Sequence, residues 1–407
     1  MDAKEIVDYA ASLDCIHCGM CVSSCPTYRL TGVESSSPRG RIHLMRAVAE
    51  GALEPDRDYA EELEFCLLCR HCESVCPSGV RFGAMMEVAR AGIARALPRP
   101  LPGRLARWLL FRVLLPRRSA LRLAFGLGRL ARRMGLLRAL PRSSGRRVLP
   151  EVTKARGERR GDVAVLEGCV MPEIYGRVNR ATVAVLAACG LETRCPADQT
   201  CCGSLHAHNG DLEFARRLAR RTIAAFERVP GEIAVNSAGC SAHMKDYRHL
   251  LRDDPSWSER AGRFSARVRD FSELLAAPEH AARLKRALGR SADLGLVAYD
   301  DPCHLCHGQG IRGPPRALLD LVPGLRRVEM RDAESCCGSA GIYSLARPKD
   351  SAAVLGEKLR AFRECGARTL VTANPGCQMQ WETGLARAGD DVRVMHLAEV
   401  LEVALAR

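Results

Sequence analysis

The sequence predicts an α + α/β chain, with a helical, cysteine-rich N-terminal domain followed by two tandem α/β modules. Three observations carry this. Two copies of the pattern C-x2-C-x2-C-x3-C-P lie within the first 77 residues. A second set of cysteines recurs downstream at offsets of 134, 135 and 137 residues. Around that set, apolar strands alternate with amphipathic helices, the pattern of parallel α/β sheets. The expected boundaries are 1–97 for the helical domain, 98–158 for a basic amphipathic linker, 159–276 for the first module and 277–407 for the second.

The first run, "CIHCGMCVSSCP", holds Cys15, Cys18, Cys21 and Cys25, and the second, "CLLCRHCESVCP", holds Cys66, Cys69, Cys72 and Cys76. This spacing holds [4Fe–4S] clusters: three closely spaced thiolates reach three irons of one cubane, and the fourth ligates the other cluster. One cluster is therefore expected on Cys15, Cys18, Cys21 and Cys76, and the other on Cys66, Cys69, Cys72 and Cys25. The proline after each fourth cysteine turns the chain away. Zinc is the alternative, but it takes four ligands, usually from two C-x2-C pairs. Between and after the runs, "SPRGRIHLMRAVAEGAL" and "RFGAMMEVARAGIARAL" have helical spacing, which predicts a helical domain. Clusters sharing ligands across such a domain must lie close together, the geometry of an electron wire.

From Val88 to Pro150 there are sixteen arginines and no Asp or Glu, while the whole chain carries a net charge of +14. The rest of the chain thus has a slight excess of acid. Arg118, Arg122, Arg129 and Arg133 fall on one helical face among Leu, Phe and Trp. A basic amphipathic stretch predicts a membrane-surface or partner-docking element. Nucleic acid is disfavoured, because stacking aromatics are few.

Each module reads β-α-β-α-β. The first carries Cys169 in "LEGC", Cys201 and Cys202 in "QTCCGS", and Cys240 in "NSAGCSAH". The second carries Cys303 in "DDPC", Cys336 and Cys337 in "ESCCGS", and Cys377 in "ANPGCQMQ". All sit just past expected strand ends, where ligands gather in open α/β sheets. These eight are candidates for additional metal. Cys189, Cys195, Cys306 and Cys365 have no counterpart in the other copy and read as plain core or surface thiols.

The N-terminus is acidic and lacks an apolar signal region, and no apolar run approaches the ~20 residues of a membrane span. This predicts a cytoplasmic chain whose 20 cysteines serve metal rather than disulfides. Cys303-His304-Leu305-Cys306-His307 fits the C-x-x-C-H of haem attachment, but the repeat pairs Cys303 with Cys169, which has no such motif. "GLGRLA" fits G-x-G-x-x-A without a preceding buried strand. No FAD or NAD is expected on this chain, and no catalytic residue acting on an organic substrate.

With these residues in view, the chain resembles the CCG cysteine-rich family, which includes the B subunit of heterodisulfide reductase, lactate-utilisation iron–sulfur proteins and the C subunit of anaerobic glycerol-3-phosphate dehydrogenase. It looks most like the glycolate oxidase iron–sulfur subunits, through "SPRGRIHLM", "CRHCESVCPSGVRFG", "CCGSAGIYSLARP" and "VTANPGCQMQ". The resemblance implies an electron-relay subunit. A separate FAD-containing subunit would oxidise glycolate to glyoxylate, and this chain would pass the electrons towards an acceptor such as quinone. The alternatives are a thiol–disulfide role or a D-lactate or glycerol-3-phosphate dehydrogenase complex. The fullest CCG repeat ends in C-x-x-C, whereas His243 and Gln380 stand at the last position here. That departure leaves open whether these pockets hold a further cluster, zinc or no metal.

Overall fold

The computed structural model describes residues 7–97, 100–134 and 148–406, with the side chains of Arg132 and Arg133 outside the description. Of the basic segment, residues 98–99 and 135–147 and the Arg133 side chain therefore lie outside the described residues.

Residues 7–97 form helices at Tyr9–Ser12, Pro26–Thr31, Pro38–Ala49, Arg57–Phe65, His71–Ser74 and Phe82–Ala96, with no strand among the described residues. Local chemistry sets their ends. Pro26 and Pro38 occupy first-turn positions, where a missing N–H costs nothing. Ser37 accepts a bond from the Gly40 amide as an N-cap, and Gly32 ends its helix in the left-handed conformation. Ile42, Met45, Val48, Leu63, Met85 and Met86 then pack into one core against which Cys15, Cys21 and Cys76 lie.

The basic segment is helical: Leu101–Trp108 runs into a π-helical turn, Leu109–Leu114, and a second helix spans Arg118–Arg133. It packs on the first module through Phe111, whose ring meets His206, and through ion pairs, with Leu115 and Leu121 also buried. Arg112 reaches Asp211 at 2.9 Å, Arg118 reaches Glu167 at 3.0 Å, and Arg129 reaches Glu173 at 3.7 Å.

The first sheet contains β1 (Val152–Thr153), β2 (Gly161–Leu166), β3 (Leu191–Arg194), β4 (Glu232–Val235) and β5 (Val268–Asp270), in the order β1-β3-β2-β4-β5. Only β1 runs antiparallel. The second contains β6 (Leu296–Tyr299), β7 (Arg326–Val328), β8 (Thr369–Thr372) and β9 (Arg393–His396), in the order β7-β6-β8-β9, all parallel. The four parallel strands therefore match one for one. β5 and β9 are additions to the three strands per module that the sequence predicts. They are three and four residues long and run straight into helices through capping boxes at Asp270–Glu273 and His396–Glu399, so helical periodicity masks them.

The modules share one hydrophobic core. The helix Gly176–Ala188, after β2, packs against Leu397–Val403, after β9; reciprocally, Gly313–Asp320, after β6, packs against Phe271–Ala276, after β5. Residues from both sheets, such as Val165, Leu186, Leu275, Val297, Leu318 and Leu401, fill it continuously. Close to this exchange the backbones also meet, Ala238 N–H donating to Ala373 C=O at 3.3 Å.

Candidate metal centres and the cavity between them

The two N-terminal runs share a backbone conformation. His17 and Gly19 lie at φ 55° and 84°; the matching Leu68 and Arg70 lie at 54° and 63°. Left-handed residues on either side of the second cysteine curl each loop, the concave form that suits an anionic group. Cys25, Cys66, Cys69 and Cys72 are all buried, and Cys69 and Cys72 each feel the charge of Cys25 and Cys66. The structure thus brings the fourth cysteine of the first run to the three of the second. Cys21 neighbours Cys15 and the exposed Cys18, while Cys76 shares their supporting core. Burial pushes the Cys69 and Cys72 thiols well up, so a bound metal would have to supply the charge that keeps them thiolate. Eight free thiols on twin curled loops fit a pair of [4Fe–4S] clusters.

Each module assembles its own quartet. Cys169 follows β2, Cys201 and Cys202 follow β3, and Cys240 follows β4, with Cys202 and Cys240 sulfurs 3.3 Å apart. Cys303, Cys336, Cys337 and Cys377 take the same places after β6, β7 and β8. Contacts to Cys169 and Cys202 hold the Cys201 thiol well below its usual range, and contacts to Cys336 and Cys377 do the same for Cys337. The glycine of each CCG is required. Gly203 and Gly338 have φ 90° and 84°, and a Cβ on Gly338 would fall 2.5 Å from the Ser351 carbonyl oxygen. Among the described residues, no three His, Cys, Asp or Glu side chains close around a single metal ion.

Both quartets, together with Cys66, line one cavity of about 800 Å³ between the helical domain and the modules. Cys69 packs in one patch with Cys303 and Cys336, so the inner N-terminal thiols adjoin the second quartet. Helical domain and modules are clamped around the cavity: Glu87 meets His208 at 2.7 Å, Arg90 donates to the His208 carbonyl at 2.7 Å, and Arg29 pairs with Glu357 at 2.8 Å.

His243, at the last position of the first repeat, is buried, and burial pushes it down to about 4. His243 Nε2 and Gln380 Nε2 lie 3.5 and 3.4 Å from where a Cβ would stand on Gly203 and Gly338. Both residues in place of a terminal C-x-x-C cysteine therefore lie against the CCG turn. Cys306 faces the Cys303 and Glu334 carbonyls rather than the cavity, and His307 stacks on His71 at 3.9 Å; the C-x-x-C-H residues serve no common ligand. Burial pushes Cys189 and Cys195 up to about 12, as in inert core thiols. "GLGRLA" lies within the helix Arg118–Arg133, with no strand before it.

Sequence reasoning missed Lys358. Its ammonium is buried behind the second quartet, bonded to the Asp300 carboxylate and at 2.8 Å to the Ala333 and Ser335 carbonyls. Burial works against its charge, and Asp300 more than offsets this, so the ammonium stays protonated. A signal was present: Lys358 continues the buried face of Val354, Leu355, Ala361 and Phe362, where a lysine has no place unless paired.

Paired curled cysteine loops beside duplicated CCG modules define an iron–sulfur protein. The 4Fe-4S dicluster domain family matches residues 11–80, and the cysteine-rich domain family matches 163–245 and 297–382. The chain is 39% identical to the probable glycolate oxidase iron–sulfur subunit of Bacillus subtilis (strain 168), over 98% of this chain and 95% of that protein. It is 34% identical to the glycolate oxidase iron–sulfur subunit of Escherichia coli (strain K12), over 96% and 93%. It is 29% identical to the B subunit of the CoM/CoB fumarate reductase of Methanothermobacter marburgensis, over 96% and 72%. The chain belongs to the glycolate oxidase iron–sulfur subunit family.

Proposed function

We propose that this chain is the iron–sulfur electron-transfer subunit of a glycolate oxidase complex. A separate FAD-containing subunit oxidises glycolate to glyoxylate and hands the electrons to this chain, which delivers them to an acceptor such as a quinone. The observation that carries the reading is the near-full-length likeness to two such subunits together with the run of thiols from surface to cavity. Residues 1–97 act as a helical dicluster domain. Cys15, Cys18, Cys21 and Cys76 would hold one [4Fe–4S] cluster, and Cys66, Cys69, Cys72 and Cys25 the other. Bound there, the clusters supply one-electron exchange. The quartets at Cys169, Cys201, Cys202 and Cys240 and at Cys303, Cys336, Cys337 and Cys377 are further metal positions, for a cluster or zinc. The chain's own part is to bury these thiols, exclude water and hold the helical domain on the modules through Glu87, His208 and Arg90. We place it at the cytoplasmic face of the membrane as a peripheral subunit.

The test is electron paramagnetic resonance on the complex purified anaerobically, before and after glycolate. Reduced [4Fe–4S] signals on glycolate addition are expected; signals that appear with dithionite and never with glycolate overturn the glycolate assignment. A second reading, thiol–disulfide chemistry, is favoured by the single cavity that both quartets share. Disulfide reduction that disappears in Cys337→Ser while glycolate-driven signals persist would select it.

A further inference from the structure

The described arginines of the basic segment include some bound to acids of the first module and some left exposed, even along the one helical face that holds Arg118, Arg122 and Arg129. Arg112, Arg118 and Arg129 turn inward to Asp211, Glu167 and Glu173. Arg104, Arg117 and Arg122 stay exposed. The outer face is apolar. Leu101, Leu105, Trp108 and Leu109 are 46–75% exposed on the first helix, and Leu123, Leu127, Leu130 and Met134 are 52–65% exposed along and just past the second. Spacings of three and four residues put each set on one side of its helix. A soluble surface scatters such residues; eight in two helical stripes are an unpartnered face.

We propose that the helices Leu101–Trp108 and Arg118–Arg133 dock this protein on an anionic lipid bilayer, leucines and Trp108 entering the interface and the exposed arginines meeting lipid phosphates. Charge chooses this occupant: the exposed Arg104, Arg117 and Arg122 lie among the exposed apolar side chains, and the sequence from 88 to 150 holds no Asp or Glu to repel an anionic plane. Arg104 and Arg122 stand next to the exposed Leu105 and Leu123, so basic and apolar side chains reach the membrane interface together. Among the described residues no helix is long and apolar enough to cross a membrane, so the chain lies on the bilayer. The docking helix is not a loose tether. Phe111 C=O receives a bond from His206 at 2.7 Å, Arg112 stacks over Phe214 at 4.3 Å, and Pro100 and Arg107 line the cysteine cavity. Docking therefore brings one wall of that cavity to the lipid surface. This deepens the peripheral placement proposed above and is independent of the electron relay.

The experiment is co-sedimentation of the full-length holoprotein with vesicles of phosphatidylcholine alone or with about 30% phosphatidylglycerol. Binding to the anionic vesicles is expected, with a blue shift in Trp108 emission taken as the difference between the protein and its Trp108→Phe variant. Leu105→Gln/Trp108→Gln/Leu127→Gln/Leu130→Gln changes only exposed side chains and should abolish binding. Arg104→Gln/Arg117→Gln/Arg122→Gln should weaken it roughly fivefold per arginine. No sedimentation with either vesicle overturns the proposal, as does binding that the four-residue variant leaves intact. Normal vesicle binding with loss of the flavoprotein subunit in that variant would instead make the face a protein seat. Glycolate-driven resonance signals in any of these cases leave the relay standing.

Discussion

The two modules share a fold and differ behind their thiols. In the first, Leu166 ends β2, Thr222 faces inward from the long helix, and Tyr247 donates to the Cys202 carbonyl at 2.6 Å. At the matching positions of the second stand Asp300 and Lys358, a buried ion pair. One buried carboxylate beside each quartet is common to both, Glu167 and Asp301, but their partners come from different places. Arg118 of the basic segment pairs with Glu167, whereas Arg316 of the second module's own helix pairs with Asp301 at 2.7 Å. Duplication thus kept strand order and thiol placement while the electrostatics diverged. The first module came to depend on a segment outside the repeat.

Lys358→Met should have the largest effect, because it leaves the buried Asp300 carboxylate without its cation and with only the Thr372 hydroxyl, at 3.0 Å, as donor; a loss of about 3–5 kcal/mol is expected in chemical unfolding. Thr222→Val at the matching place should cost less than about 1 kcal/mol. Installing the first module's residues, Asp300→Leu/Lys358→Thr, should recover most of the loss. If the double variant is no better than Lys358→Met, the two pockets are not interchangeable in this respect.

The capping residues of the matching last helices should oppose each other in pH. Burial pushes Asp270 up to about 6, with Lys245 and Glu273 beside it, so the folded state keeps a proton that the unfolded chain releases between about pH 4 and 6. Its share of stability falls as pH rises through that window. Burial pushes His396 down to about 4; there the unfolded chain binds the extra proton, and stability rises with pH up to about 6.5. Asp270→Asn should therefore steepen the rise of stability with pH, and His396→Asn should flatten or invert it, by roughly 2–3 kcal/mol across the window. Unfolding followed at several pH values between 4.5 and 6.5 checks the signs.

Arg118→Ala and Arg316→Ala each leave a buried carboxylate short of a partner, at about 1–3 kcal/mol. Only Arg118→Ala should also speed proteolysis within the basic segment, since Arg118 belongs to that segment and helps tie it to Glu167 at the sheet end, whereas Arg316 lies outside it. Gly338→Ala should cost more than Gly203→Ala, because its new Cβ meets the Ser351 carbonyl at 2.5 Å while the other meets Ala215 at 3.3 Å. Both carry about 1 kcal/mol for positive φ; melting temperatures of the pair would show the order.

Much of the thiol architecture was legible because ligand spacing is local: three cysteines within seven residues can curl around one group whatever the rest of the chain does. The alternation of strands and helices was legible for the same reason, since β2, β4, β6 and β8 are buried on both faces and read as apolar runs. Strands β5 and β9 were not, being short and fused directly to helices whose periodicity runs over them. Lys358 carried a visible signal, a charge on an apolar face, but its partner Asp300 is 58 residues away.

By itself, then, the sequence determined which residues could hold metal, that the second half is a duplication, and that one segment concentrates the positive charge, for these follow from composition and from spacing along a few turns of chain. Only the tertiary structure decided that the modules exchange helices into one core, that both quartets open on one cavity, and which arginines are spent on internal carboxylates and which stay exposed. Those outcomes depend on which surfaces meet across more than a hundred residues, where apolar burial rewards many pairings about equally and shape complementarity selects one.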